Sequence, residues 1–193
     1  MARKKKKVPK NKWSLVLVVT MAFALLTFCK AILPESAPTN QVPTTTEHFI
    51  DIIGPKAKVV ADQYDLYPSV MIAQSILESD SGQSVLSQAP HFNFFGIKGE
   101  YNGQSASFET WEDDGQGNPY TIMANFRSYG SMENSLSDYA MFLQKDLYLG
   151  VRRSQTLSYQ DATAALTGTY ATDTSYGHKL NDLIARYQLT RFD

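Results

Sequence analysis

Between Lys12 and Lys30 the chain runs for seventeen residues, WSLVLVVTMAFALLTFC, without a charge, and Arg3, Lys4, Lys5, Lys6, Lys7, Lys10 and Lys12 all stand before it. A helix rises about 1.5 Å per residue, so this stretch extends roughly 26 Å; with Lys30 to Leu33 added, and Lys30 snorkelling, it reaches about the 30 Å of a hydrocarbon core. The expectation is a transmembrane anchor over 13–33 behind a basic cytoplasmic segment over 1–12. The one-sided positive cluster places the N-terminus in the cytoplasm and everything after Leu33 outside the cell membrane. A cleaved signal peptide competes with this reading. Its apolar region usually spans only about 7 to 15 residues and ends at a small-x-small site, and no clean site follows Cys29. Lipidation of Cys29 is a third reading, disfavoured by the bulk of Phe28 before it.

Residues 34–46, PESAPTNQVPTTT, hold three prolines among mostly polar residues and read as an extended tether. Thirteen residues span at most about 43 Å, so whatever follows stays near the bilayer. Residues 47–193 then form one domain of ordinary size. With 43% hydrophobic and 12% aromatic residues the chain can fill a core. After Ala31 there are ten basic and nineteen acidic side chains, a net of −9, which argues against nucleic acid as a partner. A single cysteine forms no internal disulfide, and no Cys/His cluster has ligand spacing, so no metal and no cofactor are expected.

Thr44 and Glu47 are spaced as a capping box ahead of Phe49, Ile50, Ile53, Ala57, Val60 and Ala61, which recur at helical spacing; Gly54-Pro55 admits a bend. A second helix is predicted from Pro68 toward Gly82. Ser105 to Glu112 and Tyr120 to Arg127, joined by a turn of Asp, Gly, Asn and Pro, predict a β-hairpin. Three more helices are predicted at about 131–146, 158–167 and 175–188. Ser158 and Asp161 suggest a capping box for the second of these, and Tyr176, Leu180, Leu183, Ile184 and Tyr187 an apolar stripe on the third. The class is α+β, mostly α.

The second helix carries the sharpest chemical signal. Val70, Ile72, Ala73, Ile76 and Leu77 cover about half its surface, while Gln74, Ser75, Glu78 and Ser79 gather on a narrow polar arc. Glu78 is the one charged side chain between Asp65 and Asp80. Desolvation and the helix C-terminal dipole both disfavour its ionised form, and a raised pKa suits a general acid at neutral pH. The bland alternative is a glutamate reaching into solvent at a helix end. Cleavage of a glycosidic bond needs a second group, and the hairpin offers Glu109, Glu112, Asp113 and Asp114. Strand alternation puts Glu109 with Ser107 and Trp111, and Glu112 with Phe108 and Thr110, so the two glutamates cannot enter one cleft together. The loop HFNFFGIKG, His91 to Gly99, either plugs the core with its aromatics or floors a cleft. His48, His91 and His178 stand without ligand-spaced companions and read as non-catalytic.

Five strings occur in one order: YPSVMIAQSILESDSG (Tyr67 to Gly82), NFFGIKG (Asn93 to Gly99), TWEDDG (Thr110 to Gly115), FRSY (Phe126 to Tyr129) and YATDTSYGHKL (Tyr170 to Leu180). Together they resemble glycoside hydrolase family 73, bacterial N-acetylglucosaminidases of peptidoglycan, over about 47–190. The resemblance implies a lysozyme-like fold with a cleft between a helical body and a hairpin lobe. It implies Glu78 as general acid, Glu112 of T-x-E as second carboxylate, and Tyr170 as the active-site tyrosine that orients the N-acetyl group or a water. Asn93, Phe95, Gly96 and Lys98 correspond to the loop walling the cleft, and Gln74 and Asp173 join them as substrate contacts. Tyr176 and Lys179 correspond to structural support. Ser79-Asp80-Ser81 departs from the aromatic and glycines often found after the family's glutamate, so a sugar-stacking contact is missing there. The implied activity is hydrolysis of the β-1,4 bond after N-acetylglucosamine in peptidoglycan. The rivals are a lytic transglycosylase and a non-catalytic glycan-binding or scaffold module.

Overall fold

A computed structural model of the 193-residue chain describes residues 45–113 and 119–193, with backbone alone at 111–113 and 119. The expected basic segment, membrane anchor and almost all of the tether lie outside the described residues. No helix among the described residues is long and apolar enough to cross a membrane. The tether boundary shifts, because Thr45 and Thr46 already belong to the first turn of α1 (Thr45–Gln63). That helix passes through Pro55 without a break: a proline frees only one carbonyl in the preceding turn, at Asp51, which is exposed.

Helix α2 (Pro68–Ser79) is the centre of the domain. Pro68 suits the first helical position, and the Asp193 carboxylate covers the same end by accepting from Ser69 N and Ser69 Oγ, each at 2.8 Å. Val70, Met71, Ile72, Ala73 and Ile76 are buried, so the apolar surface of α2 meets neighbours nearly all round. Phe49, Ile50, Ile53, Ala57 and Ala61 of α1 pack on it from one side. Leu136, Tyr139 and Ala140 of α3 (Met132–Phe142), Ala162 and Leu166 of α4 (Tyr159–Leu166), and Tyr176, Leu180 and Ile184 of α5 (Tyr176–Arg186) complete the core. Ser158 and Asp161 form the expected capping box at α4. The helix expected over 131–146 stops at Phe142, and a separate 3-10 turn takes over at Asp146–Val151, which buries Tyr148 and Val151.

Strands β1 (Ser105–Asp113) and β2 (Pro119–Arg127) pair antiparallel with Ser105 opposite Arg127 and Glu112 opposite Tyr120. The loop before them joins this sheet: Gly99 N donates to Asn125 O at 2.8 Å and Arg127 N to Ile97 O at 3.0 Å. Hairpin and loop are therefore hydrogen-bonded into one lobe beside the helical body.

Helices α4 and α5 approach unusually closely at Gly177. A Cβ there would lie 2.9 Å from the Thr163 carbonyl oxygen and 3.0 Å from Thr167 Oγ1, the same oxygen that accepts from Gly177 N. Backbone cannot yield as a flexible side chain can. Gly177→Ala is expected to destabilise the domain by about 1–3 kcal/mol, as an overpacked contact does. A lower urea midpoint at unchanged m-value would register it.

Candidate active site

Glu78 lies in the last turn of α2, where Asp80 turns the chain out of the helix with φ of 51° and lets the neighbouring loops close over it. Because α2 is buried along its length, the carboxylate at its end is half-buried, and desolvation raises its pKa to about 7. The Tyr176 hydroxyl donates to Glu78 Oε1 at 2.6 Å and partly offsets that rise. On its other oxygen Glu78 faces Gly96, where a Cβ would stand 4.0 Å from Oε2. The backbone at Gly96 has φ of 64°, a conformation that glycine adopts without strain.

The loop carrying Gly96 is held from within by Asn93. Its Oδ1 accepts from Phe95 N at 3.3 Å and Ile97 N at 3.2 Å, while its Nδ2 donates to Ile97 O and Arg127 O, both at 2.9 Å. Phe95 is fully buried and stacks on Tyr139, centroids 3.8 Å apart at 16°. Tyr170, also buried, donates from its hydroxyl to the Phe95 carbonyl at 2.7 Å and stacks on Tyr176 at 6.1 Å. As placed, Asn93, Phe95 and Tyr170 offer no surface to a substrate; they shape the wall from behind. Lys98 is partly exposed and bridges to Phe126 in the lobe.

The polar arc of α2 is not a solvated face. Gln74, Ser75 and Ser79 have no exposed surface, and each is satisfied inside the protein. Ser75 Oγ donates to Ile72 O at 2.7 Å, and Ser79 Oγ donates to Ser75 O at 2.5 Å and accepts from Gly82 N at 2.7 Å. Gln74 donates from Nε2 to the Tyr176 hydroxyl at 2.9 Å and accepts from the Tyr139 hydroxyl. A substrate cannot reach Gln74, so its reading as a substrate contact gives way to support of Tyr176. The helical wheel places these side chains together but does not tell a wet groove from a buried polar seam.

Tyr176 is the residue that sequence reasoning underrated. Its place in the apolar stripe of α5 hid its direct contact with Glu78. One signal was present: a tyrosine where phenylalanine would fill the core implies a partner for its hydroxyl. Asp173 sets where that tyrosine stands. Its carbonyl accepts from Tyr176 N at 3.1 Å, its Oδ1 from Ser175 N at 2.8 Å and Ser175 Oγ at 2.7 Å, and its Oδ2 from Lys179 Nζ at 2.6 Å. Lys179, then Ser175, hold the carboxyl down at about 2. With these contacts Asp173, which stays partly exposed, fastens the start of α5. Its folded pKa lies below the ordinary value of 3.8, so its contribution to stability is complete above that pH and lost as pH falls toward 2. Asp173→Ala should therefore cost about 1 kcal/mol or less at pH 7, the worth of a partly exposed ion pair. In urea unfolding the two proteins should converge as pH approaches 2.

On the hairpin, Glu109 is exposed. Glu112 pairs with Tyr120 across the ladder, and its side chain lies outside the described residues, as does Asp114. His91 Nδ1 lies 3.0 Å from Ser128 Oγ and its ring meets Phe108 edge-on, while His48 and His178 are exposed. Among the described residues no group of His, Cys, Asp and Glu could hold a metal ion.

The family model for Glucosaminidase, described as mannosyl-glycoprotein endo-beta-N-acetylglucosaminidase, matches residues 54–189. A probable N-acetylmuramidase of Lactococcus lactis subsp. cremoris is 47% identical over 182 residues, covering 91% of this chain and 41% of its own. The exo-glucosaminidase LytG of Bacillus subtilis is 32% identical over 200 residues, covering 100% of this chain and 70% of its own. The chain thus spans about two fifths of the length of the Lactococcus relatives it matches. Among solved structures, the catalytic domain of the autolysin Auto from Listeria monocytogenes superposes with a TM-score of 0.74 at 46% identity, covering 80% of this chain and 91% of that one.

Proposed function

Because the chain belongs to the glucosaminidase family, glycoside hydrolase family 73, we propose that it is a peptidoglycan hydrolase that cleaves the β-1,4 bond after N-acetylglucosamine. The observation that carries the reading is the half-buried Glu78, with a pKa of about 7, standing beside Gly96 at the junction of helical body and hairpin lobe. A carboxylic acid that still holds its proton near neutrality can hand it to the departing glycosidic oxygen as the C–O bond breaks. The electron pair of that bond leaves with the oxygen, and the sugar ring develops oxocarbenium character. Glu112, on the strand face it shares with Phe108 and Thr110, is the second carboxylate, activating water or stabilising the positive charge. Tyr170 serves by fixing the Phe95 carbonyl, and Tyr176 by holding Glu78.

The test is to digest purified cell walls, reduce the products and identify the reduced end by mass spectrometry. Reduced N-acetylglucosamine supports the proposal. Reduced N-acetylmuramic acid, the outcome favoured by the name of the Lactococcus relative, would move the cut to the other linkage. A 1,6-anhydro end would make the enzyme a lytic transglycosylase, and no products at all would leave a binding module.

The uncharged stretch between Lys12 and Lys30 and its one-sided basic flank support a membrane-anchored enzyme, with its N-terminus in the cytoplasm and its catalytic domain outside. The short tether then confines it to glycan near the membrane. Protease added to intact protoplasts should remove the folded domain and leave the N-terminal segment in the membrane fraction; a domain found free in the medium would refute the anchor.

A further inference from the structure

The hydroxyl that touches Glu78 is the last link of a buried row. The Tyr139 hydroxyl meets Gln74 Oε1, Gln74 Nε2 meets the Tyr176 hydroxyl at 2.9 Å, and the Tyr176 hydroxyl meets Glu78 Oε1 at 2.6 Å. Gln74 has no exposed surface, Tyr139 is 1% exposed and Tyr176 is fully buried, so water cannot substitute for any member. Such a row can point only one way at a time. An ionised carboxylate accepts and cannot donate, so Tyr176 must give its proton to Oε1. The Tyr176 oxygen must then accept, Gln74 must present its amide N–H, and the Gln74 oxygen is left to accept from Tyr139. When Glu78 takes up a proton on Oε2 this direction is preserved. A proton on Oε1 directed at Tyr176 would require either that all three bonds reverse or that the buried Tyr176 proton be left without an acceptor.

We propose that Gln74, backed by Tyr139, is a positioning residue that sets the direction of the Tyr176 hydroxyl and so keeps the transferable proton of Glu78 on Oε2, the oxygen beside Gly96. This deepens the proposed function and rests on it. Gln74 touches no substrate; it decides which oxygen of the acid can deliver. The groups that sense Glu78 are phenols on three different segments: Tyr139 on α3, Tyr170 ahead of α5, and Tyr176 at the head of α5. Burial first, then the carboxylate, pushes each well above the ordinary tyrosine value, so all three remain protonated at working pH. They act as fixed dipoles and not as titrating partners.

Gln74→Met removes the row while nearly conserving volume, and Tyr139→Phe removes a single oxygen at its far end. Without the Tyr139 hydroxyl the Gln74 amide can turn over and accept the Tyr176 hydroxyl on its oxygen, which frees the Tyr176 oxygen to accept. Protonated Glu78 can then place its proton on Oε1, where it is useless. Without Gln74 the Tyr176 oxygen loses the donor that polarises it. The acid form then gains an arrangement and the carboxylate loses a polarised donor, and both effects favour protonation. For either variant the expected result is a maximal rate lowered several-fold at unchanged KM, with the alkaline limb of the rate profile displaced upward by about half a pH unit. A packing defect alone would lower the melting temperature and leave that limb in place, and such an outcome overturns the inference. Should Gln74→Met fail to fold, Tyr139→Phe decides, together with the carbon-13 titration of the Glu78 carboxyl, which needs no activity. A midpoint equal to that of the parent overturns the inference. Failure of the proposed function looks different: the parent itself would release no fragments from walls, or would do so without an alkaline limb.

Discussion

Glu78→Gln is expected to lower the rate of wall hydrolysis by about 10³-fold, within the range that a positioned general acid contributes. Glutamine keeps the shape of the side chain and its oxygen can still accept from the Tyr176 hydroxyl, so the fold and the walls of the cleft should persist. What is lost is the proton. Glu109 is exposed on the hairpin and Asp80 is exposed beyond the end of α2, whereas it is Glu78 Oε2 that faces Gly96, so neither of these two can take its place. Initial rates of release from insoluble peptidoglycan are the measurement, with circular dichroism to show an intact fold. A variant that keeps more than a tenth of the parent rate would remove Glu78 from the mechanism. Wall binding, measured by co-sedimentation, should survive, which separates loss of chemistry from loss of affinity.

The same substitution should make the protein more stable at neutral and alkaline pH. The folded pKa of Glu78 is about 7 against an ordinary 4.5, so the shift is upward, opposite to that of most carboxylates. A group raised in this way contributes fully below pH 4.5, where both states are protonated, and its contribution is lost as pH rises toward 7, because the unfolded chain ionises first. At about 1.36 kcal/mol per unit, the loss over that window reaches up to about 3 kcal/mol. Glutamine has nothing to ionise. Glu78→Gln should therefore match the parent at pH 4 and exceed it by up to about 3 kcal/mol at pH 8, in urea unfolding carried out at both values. Catalysis should show the complementary curve, falling about tenfold per unit above pH 7 as the acid loses its proton. A parent whose stability is flat from pH 4 to 8 would mean that the carboxyl is solvated after all. The stabilising effect and the loss of activity come from one cause, burial of an ionisable group where the reaction needs it.

Much of this arrangement is legible along the chain. Pro68 and the run VMIAQSIL define a helix of nearly uniform burial, and the only charge within it, Glu78, stands out because such a helix leaves little room for one. The hairpin follows from two alternating runs around a turn, and the register places Glu112 opposite Tyr120. Asn93, Phe95 and Tyr170 enter the reading through the family resemblance alone, and the structure buries all three. A loop of aromatics reads equally well as a sugar platform or as core, and the stacking of Phe95 on Tyr139 makes it core.

Periodicity, caps and turn chemistry act over a few residues, and for that reason the order of helices, the place of the hairpin and the isolation of Glu78 as the one charge on its helix could be read in one dimension. The pKa of Glu78 and the hydroxyl that holds its carboxyl depend on contacts between residues far apart in the chain: Tyr139 with Gln74, and Tyr176 with Glu78. No local pattern encodes the direction of a hydroxyl buried between three helices. Packing alone brings those groups within hydrogen-bonding distance and excludes the water that would otherwise satisfy them.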